Sequence, residues 1–458
     1  MENLSLYELV DAVKGEFLLG DPHFPVSSVS IDTRTLSKHD FYFAIKGKNY
    51  DGHEFLKPAI EKGVKGLVVS RTDVDFGKPF PYIPAIVKVN DTVKALGDLA
   101  SYYRKRFNTN VVGITGSNGK TTVKEMLSSI LEKKGPTLKN AGNFNNQLGL
   151  PLTLLKITSQ HSYAVIEMGT SFFGEIKRLG EITSPKVGII TNIGLAHLEN
   201  FKDLDGVLTE KRALFDSLSS DGWAVVNKDD QYLSAIDTSL KSNIITFSID
   251  KGTNVHAKNL KLWPGNPKFD LHIYGKSINV ELPVLGKFNV YNALAAAAGA
   301  AALGVEIELI KEGLEQYTPP SMRMNIKNML SGITVINDAY NSNPSSMRES
   351  INSVIQSFPD RNKVIVLGDM LELGQKAKME HNVLGEFLST QPLSQILLYG
   401  PLMENTFLSV DSKNAKYFKD KEDLVEELKK YTASNSVIFF KGSRGMKLEE
   451  IINKVFTD

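Results

Sequence analysis

The sequence predicts an α/β fold in three domains, and three observations carry that expectation. Apolar strand runs alternate with helical periodicity along most of the 458 residues, the pattern of sheets covered by helices. One β-branched strand runs into a glycine-rich turn that opens a helix, at residues 111–122. Thr318-Pro319-Pro320 then breaks the helical pattern before a second alternating series begins. The domains expected are a small mixed α/β N-terminal domain (1–90), a central P-loop ATPase-type domain with a mostly parallel sheet (91–317), and a C-terminal Rossmann-like doubly wound sheet (318–458).

The elements follow in chain order. Residues 1–20 form a short, acidic, amphipathic segment (Leu4, Leu6, Leu9, Val10, Val13) without the basic start and apolar block of a secretory signal. Strands are expected at 64–70 and 85–89, and Asp91 reads as the N-cap of a helix reaching Phe107. After the glycine-rich turn, Val123, Met126, Leu127, Ile130 and Leu131 recur at helical spacing. Apolar runs at 163–168, 187–192, 223–227 and 244–249 predict parallel strands buried on both faces, with a helix at 207–216 among the intervals. From 255 to 285 the pattern alternates, as in Phe269-Asp270-Leu271-His272-Ile273-Tyr274, which predicts an antiparallel meander. Helices at 289–303 and 306–317 close the central domain. Strands at 333–337, 363–367, 395–399 and 436–440 build the third, with a helix starting at Pro344. No GxGxxG follows its first strand, so dinucleotide binding is not supported.

Composition removes several function classes. Lys and Arg total 53 against 52 Asp and Glu, a net charge of +1 that advertises neither a nucleic-acid partner nor an anionic membrane. The chain has no cysteine, which excludes disulfides, thiolate zinc sites, iron–sulfur clusters and a thiol nucleophile. Its 8 histidines are scattered and form no HExxH. No run approaches the roughly 20 apolar residues that span a bilayer; the longest candidate, 293–303, is alanine-rich. A cytoplasmic protein with no membrane insertion is expected.

The strongest chemistry lies in Gly113-Ile114-Thr115-Gly116-Ser117-Asn118-Gly119-Lys120-Thr121-Thr122. Backbone N–H groups in such a turn point inward around a phosphate, and the helix N-terminus adds partial positive charge. Gly116 and Gly119 permit close approach, Lys120 reaches the β- and γ-phosphates, and the Thr121 hydroxyl can ligate magnesium. The first glycine of a strict P-loop would fall at Ile114; Gly113 sits one place early. The motif predicts ATP or GTP binding.

Ligands in open α/β sheets collect at the carboxyl ends of strands. Glu167 and the segment 191–199, which contains His197, occupy two such ends, beside the phosphate loop. Lys211, read alone, is a surface lysine of its helix. Asn289 and Asn292 flank a turn as a cap or as amide contacts to a base, and 338–344 reads as an Asx-rich turn that caps a helix.

Together these motifs resemble the Mur ligases of peptidoglycan synthesis, nearest to the dipeptide-adding branch, over nearly the whole chain. The loop 114–122 is similar to the family's Gly-Thr-x-Gly-Lys-Thr-Thr with serine in place of the first threonine, a form that accounts for the irregular glycine spacing. Gly142-Asn143-Phe144-Asn145-Asn146-Gln147 resembles the segment that approaches the peptide substrate, and Asp338-Ala339-Tyr340-Asn341-Ser342-Asn343-Pro344 is the branch discriminator. Leu367-Gly368-Asp369-Met370-Leu371-Glu372 and Lys441-Gly442-Ser443-Arg444 resemble the same branch.

The resemblance implies an amide ligase that uses ATP and Mg²⁺ to join D-alanyl-D-alanine to a UDP-MurNAc-tripeptide, and a monomer is expected. It assigns Thr121, Glu167, His197 and a carbamylated Lys211 to the metal ions, with Lys120, Lys211 and His197 catalytic. The nucleotide would be held by Thr115, Gly116, Ser117, Asn118, Gly119, Lys120, Thr121 and Thr122, by Asn289 and Asn292, and by Arg323 and Asp338 from the third domain. Phe288 stands where the family has a histidine. Asp32, Thr33, Arg34, Gly47, Asp51, Gly52 and His53 would hold the UDP-sugar, and Asn143, Asn146, Tyr340, Asn341 and Asn343 the rest of the substrate.

Overall fold

The computed structural model describes residues 1–47, 49–73, 82–194, 198–236, 240–249, 251–263, 265–411, 413–432 and 435–456. Their strands form three sheets. In the first, the spatial order is Glu16–Leu19, Ala85–Lys88, Gly66–Val69, Asp40–Phe43, Ser28–Ser30, parallel except for the Glu16–Leu19 edge. The amphipathic N-terminal segment is a helix, Leu6–Val13, closed by a reciprocal Ser5–Glu8 capping box. It packs on helix Thr92–Arg104, whose N-cap is Asp91, with the carboxylate accepting from Val93 and Lys94 N–H. Tyr103 on that helix donates to the Ile157 carbonyl at 2.7 Å, tying the first unit's support to the second.

The central sheet has nine strands in the order Lys276–Glu281, Lys268–Ile273, Val255–Lys261, Asn243–Ile249, Trp223–Asn227, Val187–Ile190, Asn110–Thr115, Tyr163–Glu167, Thr137–Lys139. Pairing is parallel from Thr137–Lys139 to Val255–Lys261, and only the last two strands run antiparallel. The expected meander is present as Val255–Lys261, Lys268–Ile273 and Lys276–Glu281, its first strand also pairing parallel with Asn243–Ile249. Apolar clusters cover both faces. The alanine-rich run forms helix Lys287–Ala302, nearly all of it buried. Its small side chains let it lie close to the sheet: a Cβ on Gly299 would stand 2.7 Å from Ile189 Cδ1. That explains an apolar helix without a membrane, and no helix among the described residues is long and apolar enough to cross one.

The third sheet runs Asn325–Asn328, Thr334–Asp338, Ser436–Lys441, Asn362–Gly368, Gln395–Tyr399, Ala415–Phe418, parallel except for its first pair. Helix Pro344–Ser357 starts where Asn343 accepts from Ser346 N–H in a second capping box. The strand ends Thr334–Asp338 and Ser436–Lys441 thus face the phosphate loop of the central sheet across a cleft.

Candidate active site

A cavity of about 900 Å³ lies between the carboxyl ends of the central and third sheets. Its floor is the turn between strand Asn110–Thr115 and helix Lys120–Leu131. Gly116 and Gly119 hold φ of 147° and 82°, the left-handed side that favours glycine. A Cβ at Gly116 would fall 1.9 Å from Thr191 Oγ1, and one at Gly119 would fall 2.2 Å from Asn292 Oδ1. The neighbouring strand end clamps the loop. Asn192 Oδ1 accepts from Asn118 N–H at 2.9 Å, Thr191 Oγ1 donates to the Asn118 carbonyl at 2.5 Å, and Ser117 Oγ exchanges bonds with Gly194. Thr115 Oγ1 donates to the Met168 carbonyl, fixing the strand beneath. Thr191 and Asn192 shape the loop more directly than any other residues outside it. Their signal in the sequence is their place at a strand end.

Two cations sit deep in this floor. Lys120 folds back, its Nζ donating to the Gly116 carbonyl at 2.8 Å and to the Ser117 carbonyl at 3.3 Å. Burial holds its pKa below the usual lysine value, opposed by the Glu167 carboxylate and helped by the Arg323 charge. Lys211 is not the surface residue its helix suggests. It is 2 % exposed on helix Leu204–Asp216, and burial and then the Lys120 ammonium push its amine well below the ordinary range. Its neighbour Glu210 is engaged elsewhere, accepting from the N–H groups of Gly174 and Ile176 at 2.6 and 2.7 Å.

Thr121 Oγ1 donates to Glu167 Oε2 at 2.8 Å, and Asn145 Nδ2 donates to Glu167 Oε1 at 2.8 Å. Asn145 was not singled out in the sequence, where it stands among three nearby asparagines. Asn143 and Asn146 both line the cavity, and Asn146 Oδ1 also accepts from Leu148 and Gly149 N–H at the start of helix Gly149–Leu154. Fully buried Asn140 ties the segment down: its Oδ1 accepts from Glu167 N–H, and its Nδ2 donates to the Phe144 and Glu167 carbonyls. A hydroxyl and a carboxylate are hard oxygen donors of the kind magnesium takes, completed by ligand phosphates and water. The donor set therefore fits a nucleotide-bound Mg²⁺, although the described residues hold no cluster of three His, Cys, Asp or Glu able to cage an ion. His197 lies outside the described residues.

At the far wall, Asn289 Nδ2 donates to the Leu285 carbonyl and Asn292 Nδ2 donates to Asn289 Oδ1. Gly286, not an asparagine, is the N-cap of that helix. The third sheet contributes the opposite wall. Arg323 Nη2 donates to Thr121 Oγ1 at 3.0 Å while its guanidinium stacks 4.1 Å over the Tyr340 ring. Asn343 Nδ2 donates to Asn118 Oδ1 at 2.7 Å, and Asn118 Nδ2 donates to Ser345 Oγ at 2.9 Å. Asp338 is held inside its own unit by Lys441 Nζ at 2.5 Å and Ser350 Oγ at 2.8 Å. Asn341 lines the cavity, and Thr122 lies against the same floor.

The remaining candidates stand apart, in the first unit. His53 is 4 % exposed: its Nδ1 meets Asp51 Oδ1 at 2.6 Å and its Nε2 accepts from Ser70 N–H at 2.9 Å. Both ring nitrogens are thus engaged internally, with Asp51 as N-cap of the short turn Gly52–Phe55. The Gly52 carbonyl accepts from Tyr42 Oη. Asp32 pairs with exposed Arg34 at 2.7 Å, which holds its carboxyl down at about 2, and Lys62 donates to the Thr33 carbonyl. None of these, nor Gly47, lines the cavity.

Comparison with known proteins matches three family models to the chain: Mur ligase family, catalytic domain, at residues 25–104; Mur ligase middle domain at 114–300; and Mur ligase, glutamate ligase domain, at 322–444. The UDP-N-acetylmuramoyl-tripeptide–D-alanyl-D-alanine ligase of Buchnera aphidicola subsp. Baizongia pistaciae is 36% identical over 94% of this chain and 93% of its own. A MurF crystal structure from Acinetobacter baumannii superposes with a TM-score of 0.91 at 34% identity, covering 99% of both chains. MurF from Thermotoga maritima, in complex with ADP, gives a TM-score of 0.83 at 27% identity over 93% of this chain and 96% of that one.

Proposed function

The chain belongs to the Mur ligase family, and from that premise we propose that it is the ATP-dependent ligase that joins D-alanyl-D-alanine to UDP-MurNAc-tripeptide in peptidoglycan precursor synthesis. The observation that carries the reading is the pair of direct bonds from the third unit onto the phosphate loop, Arg323 to Thr121 and Asn343 to Asn118. They set a nucleotide site and an acceptor-bearing wall on one cavity, as a two-substrate condensation requires.

A carboxylate is a poor acyl donor because it has no leaving group. Its oxygen attacks the γ-phosphorus of ATP, ADP departs, and an acyl phosphate forms. The dipeptide amine then attacks the acyl carbon, loses a proton, and inorganic phosphate leaves. Lys120 and the N–H groups of residues 119–122 bind and orient the phosphates, the Ser117 and Asn118 N–H groups being held by Asn192. Arg323 adds positive charge from the opposite wall as charge shifts onto the phosphoryl oxygens. Magnesium, when bound at Thr121 and Glu167, supplies further neutralisation of those oxygens. Lys211 serves this site as a carbamate: a buried amine with a depressed pKa is nucleophilic enough to take up CO₂, and the product is anionic beside Lys120. Asn289 and Asn292, which line the cavity, are assigned to the base, and the UDP-sugar is assigned to the first unit around Arg34. The walls close over the cavity and keep water from the acyl phosphate. We propose a cytoplasmic location, where soluble nucleotide-linked substrates are met.

The test is ADP release from purified protein given UDP-MurNAc-tripeptide and a panel of amines. Stimulation by D-alanyl-D-alanine, with hydroxylamine trapping a hydroxamate in its absence, is expected. Release stimulated only by a single amino acid would defeat the dipeptide assignment.

A further inference from the structure

A dipeptide acceptor carries a carboxylate at the end remote from its attacking amine, and burying that charge requires a cation. The described cavity wall offers five: Lys120, Lys211, Arg323, Lys441 and Arg444. Lys120, half-buried, is folded back onto the Gly116 and Ser117 carbonyls of the phosphate floor, and Lys211 lies buried beneath it. Arg323 is on Thr121 and Tyr340. Lys441 is 4 % exposed in its side chain and neutralised by Asp338 at 2.5 Å. Arg444 is also ion-paired, to Glu449, but its side chain is 55 % exposed, and it stands at the rim on the third unit, on the short turn Arg444–Met446.

The turn is braced for such a task. Ser443 N–H donates to the Asp369 carbonyl at 3.0 Å, and Ser443 Oγ accepts from Leu371 N–H at 2.9 Å. Two loops at the carboxyl ends of neighbouring strands are thereby zipped together, and they bring Leu371 beside the turn, where a Cβ on Gly445 would stand 3.1 Å from Leu371 Cδ1. Leu371 is an apolar side chain left 39 % exposed. The contacts Arg444 makes to Glu449 Oε1 at 2.5 Å and to Met322 Sδ at 3.1 Å both use Nη1. A guanidinium carries further N–H donors in a fork matched to a carboxylate.

We propose that Arg444 binds the terminal carboxylate of the dipeptide acceptor, with Leu371 against its terminal methyl group. This rests on the ligase reading above and adds to it the feature by which the enzyme tells a dipeptide acid from other amines. Glu449 orients the guanidinium and does not touch the acceptor.

The experiment compares D-alanyl-D-alanine with D-alanyl-D-alaninamide, which keeps the amine and both methyl groups but lacks the charge. Wild-type enzyme prefers the acid in kcat/KM by roughly 10- to 100-fold, the loss expected for one charge-assisted bond. Arg444→Ala reduces that preference to about one by raising KM for the acid, with KM for ATP unchanged. Arg444→Lys keeps a partial preference, and Glu449→Gln keeps most of it. Full wild-type preference in both Arg444 variants overturns the assignment. Absence of any dipeptide-stimulated ADP release in the wild type overturns the ligase reading instead, so the two failures are distinct.

Discussion

Replacing Arg323 with alanine removes a charged bridge between the third unit and the phosphate loop. Two contacts go: a hydrogen bond from the guanidinium to Thr121 Oγ1 at 3.0 Å, and a cation–π stack 4.1 Å from Tyr340. A bond from a charged donor contributes about 1.5–3 kcal/mol, and a partly desolvated cation–π contact about 0.5–2 kcal/mol. With both operating in the closed, reacting state, the barrier behind kcat/KM rises by about 2–5 kcal/mol, a loss of roughly 30- to 4,000-fold at 1.4 kcal/mol per decade. The assay is coupled ADP release at saturating Mg²⁺, with ATP and tripeptide varied separately. Tyr340→Leu, which removes the stack alone, should lose roughly 2- to 30-fold. Arg323→Lys should not restore activity, because an ammonium cannot both stack and reach Thr121 as a planar fork does. Activity of Arg323→Ala within threefold of wild type would refute the argument that this residue completes the site.

Asn145→Ala frees one Glu167 oxygen that Asn145 now holds at 2.8 Å; the Mg²⁺ concentration for half-maximal activity should rise several-fold while dipeptide KM stays constant, as a magnesium titration would reveal. Lys211→Ala should abolish turnover, with partial rescue by short carboxylic acids that place an anion where the carbamate stood; unaffected activity removes Lys211 from the site. Gly119→Ala should eliminate ATP binding by calorimetry, since φ of 82° and a Cβ 2.2 Å from Asn292 Oδ1 leave no room for a side chain. Tyr42, raised to about 12 chiefly by burial and also by Asp32 and Asp51, favours the protonated folded state. Its contribution is complete below pH 10 and is lost as pH rises through about 12, so alkaline melts should fall less steeply for Tyr42→Phe.

Much of the architecture is legible in the chain because apolar periodicity and capping residues act locally. Asp91 caps the helix assigned to it, strand Trp223–Asn227 has the bounds read from its apolar run, and Asn343 caps the helix at Pro344. The short edge strands Ser28–Ser30, Thr137–Lys139 and Ala415–Phe418 escape notice because three or four residues carry no period. Helix Thr92–Arg104 also stops short of Phe107, with Lys105 as C-cap while the apolar pattern continues.

What a side chain does at the site is less legible than where it sits, because the partner is distant in sequence. Lys211 lies in an ordinary helical pattern, and only the packing of its helix beneath the sheet turns it inward, next to a second buried amine. Asn143, Asn145 and Asn146 are chemically identical in the sequence. Asn140 holds the segment against strand Tyr163–Glu167 by three side-chain bonds; within it Asn145 meets the carboxylate, while Asn146 lines the cavity with its Oδ1 spent on the N–H groups of Leu148 and Gly149. His53 shows the opposite outcome: a motif histidine whose two nitrogens are consumed by Asp51 and Ser70 acts by shaping its loop. Motif residues therefore divide by which of their polar atoms remain open once the fold has satisfied the backbone. By that criterion Arg444, with one edge of its guanidinium on Glu449 and the rest at the cavity rim, belongs with Asn143 and not with His53.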